Sequence, residues 1–262
     1  MKTVFSYFIP VIVLTFLSCG GGSQKHVAFE KVGADKTVLL TSDKDAPQCI
    51  VHLQMDVAKP DGNEERAKAI NDAVAAQILG MEGVALRQAI DSFANKYTAD
   101  YVRNMAPLYR EDRGDELKHS WYEYRYSIDT ETREGRDGVV VYFVTLDYYE
   151  GGAHGINQKL TMNFNARSGQ QLHLADVFVP GYESRLNDIL LNALQELTST
   201  KSLDDLHNQG YLYSMDMFAS ENFVLDSDHI TFIYNPYEIA PYVVGIIELE
   251  VDYDDLKALM KD

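Results

Sequence analysis

Alternation of apolar and polar residues over several separate stretches constrains this chain most. Val51, Leu53, Met55 and Val57 alternate with His52, Gln54 and Asp56, the period-two signature of a strand with one buried face. Tyr122, Tyr124, Tyr126 and Ile128 alternate in the same way, as do Leu160, Met162 and Phe164, and later Ile247, Leu249, Val251 and Tyr253. Val139 to Tyr149 is a nearly continuous apolar run, which fits a strand buried on both faces. Turn signals at Gly135–Gly138 and Arg167–Ser168–Gly169 link these segments into a meander, and His229–Tyr234 adds a further strand. A chain built this way needs a mainly antiparallel sheet.

Helical spacing is confined to a few blocks. Asp61–Gly62–Asn63 offers a cap, and Ala67, Ile70, Val74 and Ile78 recur behind it until Gly80 and Gly83 break the pattern. Leu86, Ile90, Phe93, Tyr97 and Tyr101 define a second helix ending near Pro107. Leu186, Ile189, Leu190, Ala193, Leu194 and Leu197 mark a third, Ser202 with Asp205 caps a short one, and another lies around Leu256. Segregated helices and hairpins predict an α+β fold: a mainly antiparallel sheet carrying an N-terminal helix pair and a third amphipathic helix. The expected organisation is a strand–helix–helix region over 26–130 and a β-meander and helix region over 131–262 that shares the same sheet.

The first eighteen residues differ in kind. Lys2 precedes an apolar run from Val4 to Leu17 that is too short for a stable membrane span, so 1–18 read as a signal peptide. Ser18 before Cys19, followed by Gly20–Gly21–Gly22–Ser23, resembles the lipobox of bacterial lipoproteins. That resemblance implies acylation of Cys19, a flexible tether over 19–25 and an anchored position in the cell envelope, at the outer membrane facing the periplasm. An ordinary secretory signal with Cys19 left as a thiol is the alternative. Cys49 is the second of two cysteines, so with Cys19 acylated no internal disulfide forms and the core alone must hold the fold. Cys49 itself, inside an apolar strand, reads as a small buried residue rather than a catalytic thiol.

The net charge of −17 disfavours nucleic acid and anionic headgroups and favours basic partners through long-range attraction. Two segments carry candidate chemistry. Glu150–Gly151–Gly152–Ala153–His154–Gly155 lies between two strands and reads either as a backbone-rich loop presenting His154 to a ligand or as a hairpin turn that needs positive φ. Tyr234–Asn235–Pro236–Tyr237–Glu238–Ile239–Ala240–Pro241–Tyr242 has two prolines that forbid a central strand and three tyrosines that supply rigid contact area. It is either a binding loop or a proline-stiffened turn packed on the domain's own core.

These two segments, in this order, resemble an uncharacterised bacterial domain family that forms the extracellular part of a lysozyme-sensing anti-sigma factor and is attached to some peptidoglycan deacetylases. The resemblance spans about residues 36–130 and 170–254. It implies a binding module that captures a basic lysozyme-like hydrolase or a cell-wall glycan through Pro236, Tyr237 and Glu238, flanked by Tyr242. This sequence carries neither a sigma-binding segment nor a deacetylase domain, so neither proteolytic signalling nor deacetylation follows. Candidate binding residues are therefore Glu150, His154, Tyr234, Pro236, Tyr237, Glu238 and Tyr242, in a monomer that needs no cofactor and no metal.

Enzyme motifs are absent from the sequence: it has no His-Glu-x-x-His, no nucleophile elbow, no phosphate loop and no dinucleotide fingerprint. The competing functional class is a glycan hydrolase in which Glu150 and Glu238 act as a carboxylate pair with His154.

Overall fold

The computed structural model describes residues 26–112, 114–115 and 118–261. The stretch expected to be a signal peptide, Cys19 and the expected tether lie outside the described residues. β1 (Phe29–Leu39) and β2 (Gln48–Ala58) form an antiparallel hairpin. In β2, Cys49, Val51, Leu53 and Met55 are fully buried while Ile50, His52 and Gln54 are half-buried, the alternation that one covered face demands.

The cover is the helix pair α1 (Glu64–Leu79) and α2 (Leu86–Glu111). Asn63 caps α1 by accepting the Arg66 N–H at 3.0 Å, and Gly80 ends it in the left-handed conformation at φ 64°. The second helix runs a full turn past the expected stop at Pro107. Pro107 is exposed, so the carbonyl that its missing N–H leaves unpaired lies on the solvent side of the helix.

After the crossover, β3 (Tyr124–Glu134) pairs parallel with β2. β4 (Val139–Glu150), β5 (Ile156–Asn165) and β6 (Gln171–Leu172) then continue antiparallel, completing a six-stranded sheet in sequential order. Three helices follow: α3 (Leu174–Val177), α4 (Glu183–Thr198) and α5 (Leu203–Asn208). The last strands are β7 (Phe223–Leu225), β8 (His229–Tyr234) and β9 (Ile247–Asp252), with α6 (Tyr253–Leu256) after them. The fold is α+β, as the patterning indicates.

The expectation of one shared sheet is corrected. β7, β8 and β9 form a separate three-stranded sheet with its own core, in which Leu186, Leu190 and Leu194 of α4 pack against Phe223, Phe232 and Leu249. β6 pairs with β5 only at Asn163 and Phe164, so no strand continues the first sheet toward the second.

Asparagine amides occupy the vacant edge instead. Asn235 accepts the Lys159 N–H at 2.8 Å and donates to the Lys159 carbonyl at 3.2 Å. Asn222 accepts the Thr161 N–H at 2.8 Å and donates to the same Lys159 carbonyl at 2.7 Å. Asn163 returns the arrangement, donating to the Phe223 carbonyl at 2.7 Å and accepting the Leu225 N–H at 2.9 Å. A side-chain amide has the donor and acceptor of a peptide group, so each mimics one residue of a neighbouring strand.

β4 is the wall common to both cores. Tyr142 and Val144 face the helix-pair core, and Val139, Val141 and Phe143 face the second. The second unit covers only that first half. Beyond it, Thr145 and Asp147 are exposed, and the outer face of β3, β4 and β5 lies open.

Candidate functional site

The open face carries a groove of about 610 Å³. Arg125 and Ser127 of β3, Asp147 and Tyr149 of β4 and Asn157 of β5 form its floor, and Tyr242 forms a wall. Strand alternation selects Arg125, Ser127 and Asp147: each is the neighbour of a residue, Tyr124, Tyr126, Ile128 or Leu146, that packs on the helix-pair core. The floor is polar and partly prearranged, since Asn157 donates to the Asp147 carboxylate at 2.6 Å.

Tyr149 ties the groove to its rim. Its hydroxyl donates to the Gly152 carbonyl at 3.0 Å and lies 3.3 Å from the Ser120 carbonyl oxygen. Gly151, at φ 81°, presses so closely on the Trp121 backbone that a Cβ would overlap the Trp121 carbonyl oxygen. This position therefore requires glycine for two reasons, the left-handed backbone and the close approach. Trp121, the single tryptophan, is 55% exposed beside it.

The glycine–histidine and proline–tyrosine segments meet at the opposite rim. The rings of His154 and Tyr242 stack with centroids 4.0 Å apart and planes 19° apart. The Tyr242 hydroxyl donates to the Gly155 carbonyl at 2.9 Å, and Tyr237 lies 5.7 Å from Tyr242, centroid to centroid. Tyr237 itself is 62% exposed and holds φ 73°, a conformation uncommon for a bulky residue.

Other candidates from the sequence sit elsewhere. Tyr234 is fully buried, its hydroxyl donating to the Phe218 carbonyl at 2.6 Å, so its ring supports the loop and is closed to a partner. Glu238 accepts the Asn235 N–H at 2.8 Å and closes the turn from within, and half-buried Pro236 stands between them. Glu150 projects from the opposite face of β4 to Tyr149 and takes the Tyr97 hydroxyl at 2.6 Å. Glu150 and Glu238 thus belong to different hydrogen-bond networks, and neither lines the groove, which removes the geometric basis for their acting as a carboxylate pair.

Glu150 does shape the aromatic layer under α2. Burial, together with this carboxylate, pushes the Tyr126 phenol up to about 12, and the same two causes push the Cys49 thiol up to about 12. Such a thiol stays protonated at neutral pH and is a poor nucleophile, consistent with a core role for the fully buried Cys49. Among the described residues no group of three His, Cys, Asp or Glu side chains converges to hold a metal ion.

Arg125, Ser127, Asp147 and Asn157 give no local sign of a groove, because polar positions on a half-buried strand read as a solvated face. The loop from Tyr211 to Phe218 packs on the proline–tyrosine segment, with Tyr213 81% exposed and the Leu212 N–H donating to the Ile239 carbonyl at 2.8 Å.

Fold and groove together define an α+β domain of two sheets with an aromatic-rimmed, polar-floored cleft on the open face of the larger one. The family described as protein of unknown function DUF3298 matches residues 175–254, a stretch that contains the proline–tyrosine loop and leaves the glycine–histidine loop outside it. A solved member of that family from Bacteroides fragilis is 26% identical, with TM-score 0.83 over 90% of this chain and 94% of that one. A DUF3298 family protein from Pseudomonas aeruginosa shares the fold at 18% identity, with TM-score 0.60 over 91% of this chain and 96% of its own. Among curated proteins, the peptidoglycan-N-acetylmuramic acid deacetylase PdaC of Bacillus subtilis is 23% identical over 205 residues, which is 77% of this chain. The chain spans less than half of that deacetylase, 42% of its length. The likeness to an uncharacterised domain family with a peptidoglycan deacetylase relative is thereby borne out.

Proposed function

We propose that this protein is a recognition module of the bacterial cell envelope that binds a segment of peptidoglycan glycan in the groove between the two loops, without transforming it. The observation that carries this reading is the His154–Tyr242 stack, which brings two loops distant in sequence to one mouth of the groove of about 610 Å³. Sugar recognition needs flat aromatic surface beside a few convergent polar groups. Tyr149 and Tyr242 supply the first, and Arg125, Asp147 and Asn157 the second. The sequence relation to a peptidoglycan deacetylase supports the same ligand class. Anchoring through Cys19 would hold the module at the membrane while the groove faces the wall.

Titration with soluble peptidoglycan glycan fragments tests this. Tyr242→Ala is expected to weaken binding at least about tenfold, the scale of one lost aromatic stacking contact. Tyr242→Phe keeps the ring and gives up only the hydrogen bond to Gly155, so it stays within a few-fold. Binding of a neutral glycan should be nearly independent of salt. Equal affinity in wild type and Tyr242→Ala would refute the assignment.

A second reading has its own observation. Tyr237 at 62% exposure and Val243 at 90% project from the proline–tyrosine loop, a shape suited to insertion into a protein cleft. A basic lysozyme-like hydrolase is the partner that this reading names. Its mark would be steeply salt-dependent association lost in Tyr237→Ala and retained in Arg125→Ala.

A further inference from the structure

Glu123, Arg125 and Asp147 are the charged side chains that line the groove, and they differ in what the protein already gives them. Asp147 receives the Asn157 amide at 2.6 Å, and Glu123 receives the Gln48 N–H at 3.5 Å, a long contact. Arg125 has no hydrogen bond, ion pair or aromatic face among the described residues. Its isolation stands out in a chain with 40 Asp and Glu against 23 Lys and Arg. Arg133, further along the same face of β3, and Lys159 of β5 each hold a carboxylate, Asp226 and Glu248, both at 2.7 Å.

Strand register accounts for the isolation. Arg125 stands opposite Tyr149 and Ser127 opposite Asp147, so the guanidinium and the Asp147 carboxylate are only diagonal neighbours. Asp147 in turn stands opposite Asn157 of β5, and the bond between them draws the carboxylate away from β3. The floor is thereby divided into a positive β3 side and a negative side toward β5, with Tyr242 in the wall. A free guanidinium offers five N–H donors in a planar fork, and the group that fits the fork is a carboxylate held by two parallel hydrogen bonds. The net charge of −17 works against any anionic ligand, so binding one requires a local cation of this kind.

Peptidoglycan differs from chitin in one functional group. Alternate sugars carry a lactyl ether whose carboxylate is either free or extended by a peptide that itself ends in a carboxylate. Building on the glycan reading of this groove, we propose that Arg125 is a specificity-determining residue that binds a ligand carboxylate, so that the groove selects acidic, muramyl-type glycan over a neutral polymer of N-acetylglucosamine. The carboxylate docks on the β3 side, Asp147 accepts an acetamido N–H or a hydroxyl on the β5 side, and a sugar face covers Tyr242.

The test uses two pairs of ligands, each an acid and its methyl ester, titrated into the protein and followed by amide chemical shifts. One pair is a muramyl tetrasaccharide with free lactyl carboxylates; the other is the same glycan extended by a short stem peptide, its lactyl groups now amides. In at least one pair the acid should bind about tenfold more tightly than the ester, the scale of one charge-assisted bidentate contact. Arg125→Ala should bring that ratio to within about twofold, and Arg125→Lys should keep about threefold, since the charge remains without the fork. Lys68→Ala, on α1 across the sheet, should retain the full preference. A merely structural role for Arg125 would weaken acid and ester alike and leave the ratio unmoved. Preference in the first pair places the lactyl carboxylate on the guanidinium, and preference in the second alone places the stem carboxylate there. Equal binding of acid and ester in both pairs, or a preference that survives Arg125→Ala, overturns the role of Arg125 and leaves the glycan reading standing. Binding of none of the four ligands overturns both.

Discussion

Asn235 joins the proline–tyrosine loop to the edge of β5, and replacing it with alanine should expose how that junction is held. The side chain is 3% exposed, accepts the Lys159 N–H at 2.8 Å and donates to the Lys159 carbonyl at 3.2 Å. In Asn235→Ala the carbonyl keeps its bond from Asn222 at 2.7 Å, so the N–H is the group left unpaired. An orphaned buried donor costs about 1–3 kcal/mol, and the small cavity left by the amide adds to it. The expected loss is about 2–3 kcal/mol, or a fall of about 4–12 °C in Tm for a domain of this size. Asn235→Asp keeps an acceptor for the N–H but buries a charge beside the Lys159 carbonyl. Its folded-state pKa is expected to rise, so its stability should be highest in acid and decline as pH climbs above about 4, the unfolded value. Urea unfolding across pH measures both effects. A loss below about 0.5 kcal/mol in Asn235→Ala would show that water satisfies the Lys159 N–H and that the amide is no strand substitute.

Gly151→Ala should destabilise by more than the about 1–2 kcal/mol of a left-handed alanine, because the new Cβ also meets the Trp121 carbonyl. Gly152→Ala, at φ 93° with open space around it, should show the conformational part alone, and thermal unfolding of the pair separates the two. Alkaline pH should unfold the protein through its tyrosines. Tyr126, through burial and the nearby Glu150, and Tyr122, through its hydrogen bond to Asp112, both reach about 12, above the unfolded value of about 10. The folded state holds those protons more tightly, so their contribution is complete below about pH 10 and is lost as pH rises through about 12. Tyrosinate absorbance followed alongside circular dichroism checks this, and Glu150→Gln, which removes one cause of the raised Tyr126 value, should make the alkaline loss of stability smaller. Tyr234→Phe removes the bond to the Phe218 carbonyl and should cost about 1 kcal/mol in denaturant unfolding, without changing groove binding.

Much of this architecture was legible locally. The alternation in β2, β3 and β5, the cap at Asn63, the left-handed stop at Gly80 and the Ser202 cap of α5 are all contained in short sequence windows. So was the double burial of Val139 to Val144, because a run apolar at successive positions must be covered on both faces. The chain's patterning thus determined α+β class, element order and which side of each strand is apolar. Tertiary structure alone decided that the C-terminal strands form a sheet of their own, since the junction rests on Asn163, Asn222 and Asn235, and an isolated asparagine carries no sign of the peptide group it will pair with. It also decided which polar residues become a site. Arg125 and Asp147 were two of many charges on solvated faces until the second unit covered half of β4 and left the other half as a groove floor. Local chemistry acts within a few residues, whereas the convergence of His154 on Tyr242 depends on how two separately packed cores are set against each other.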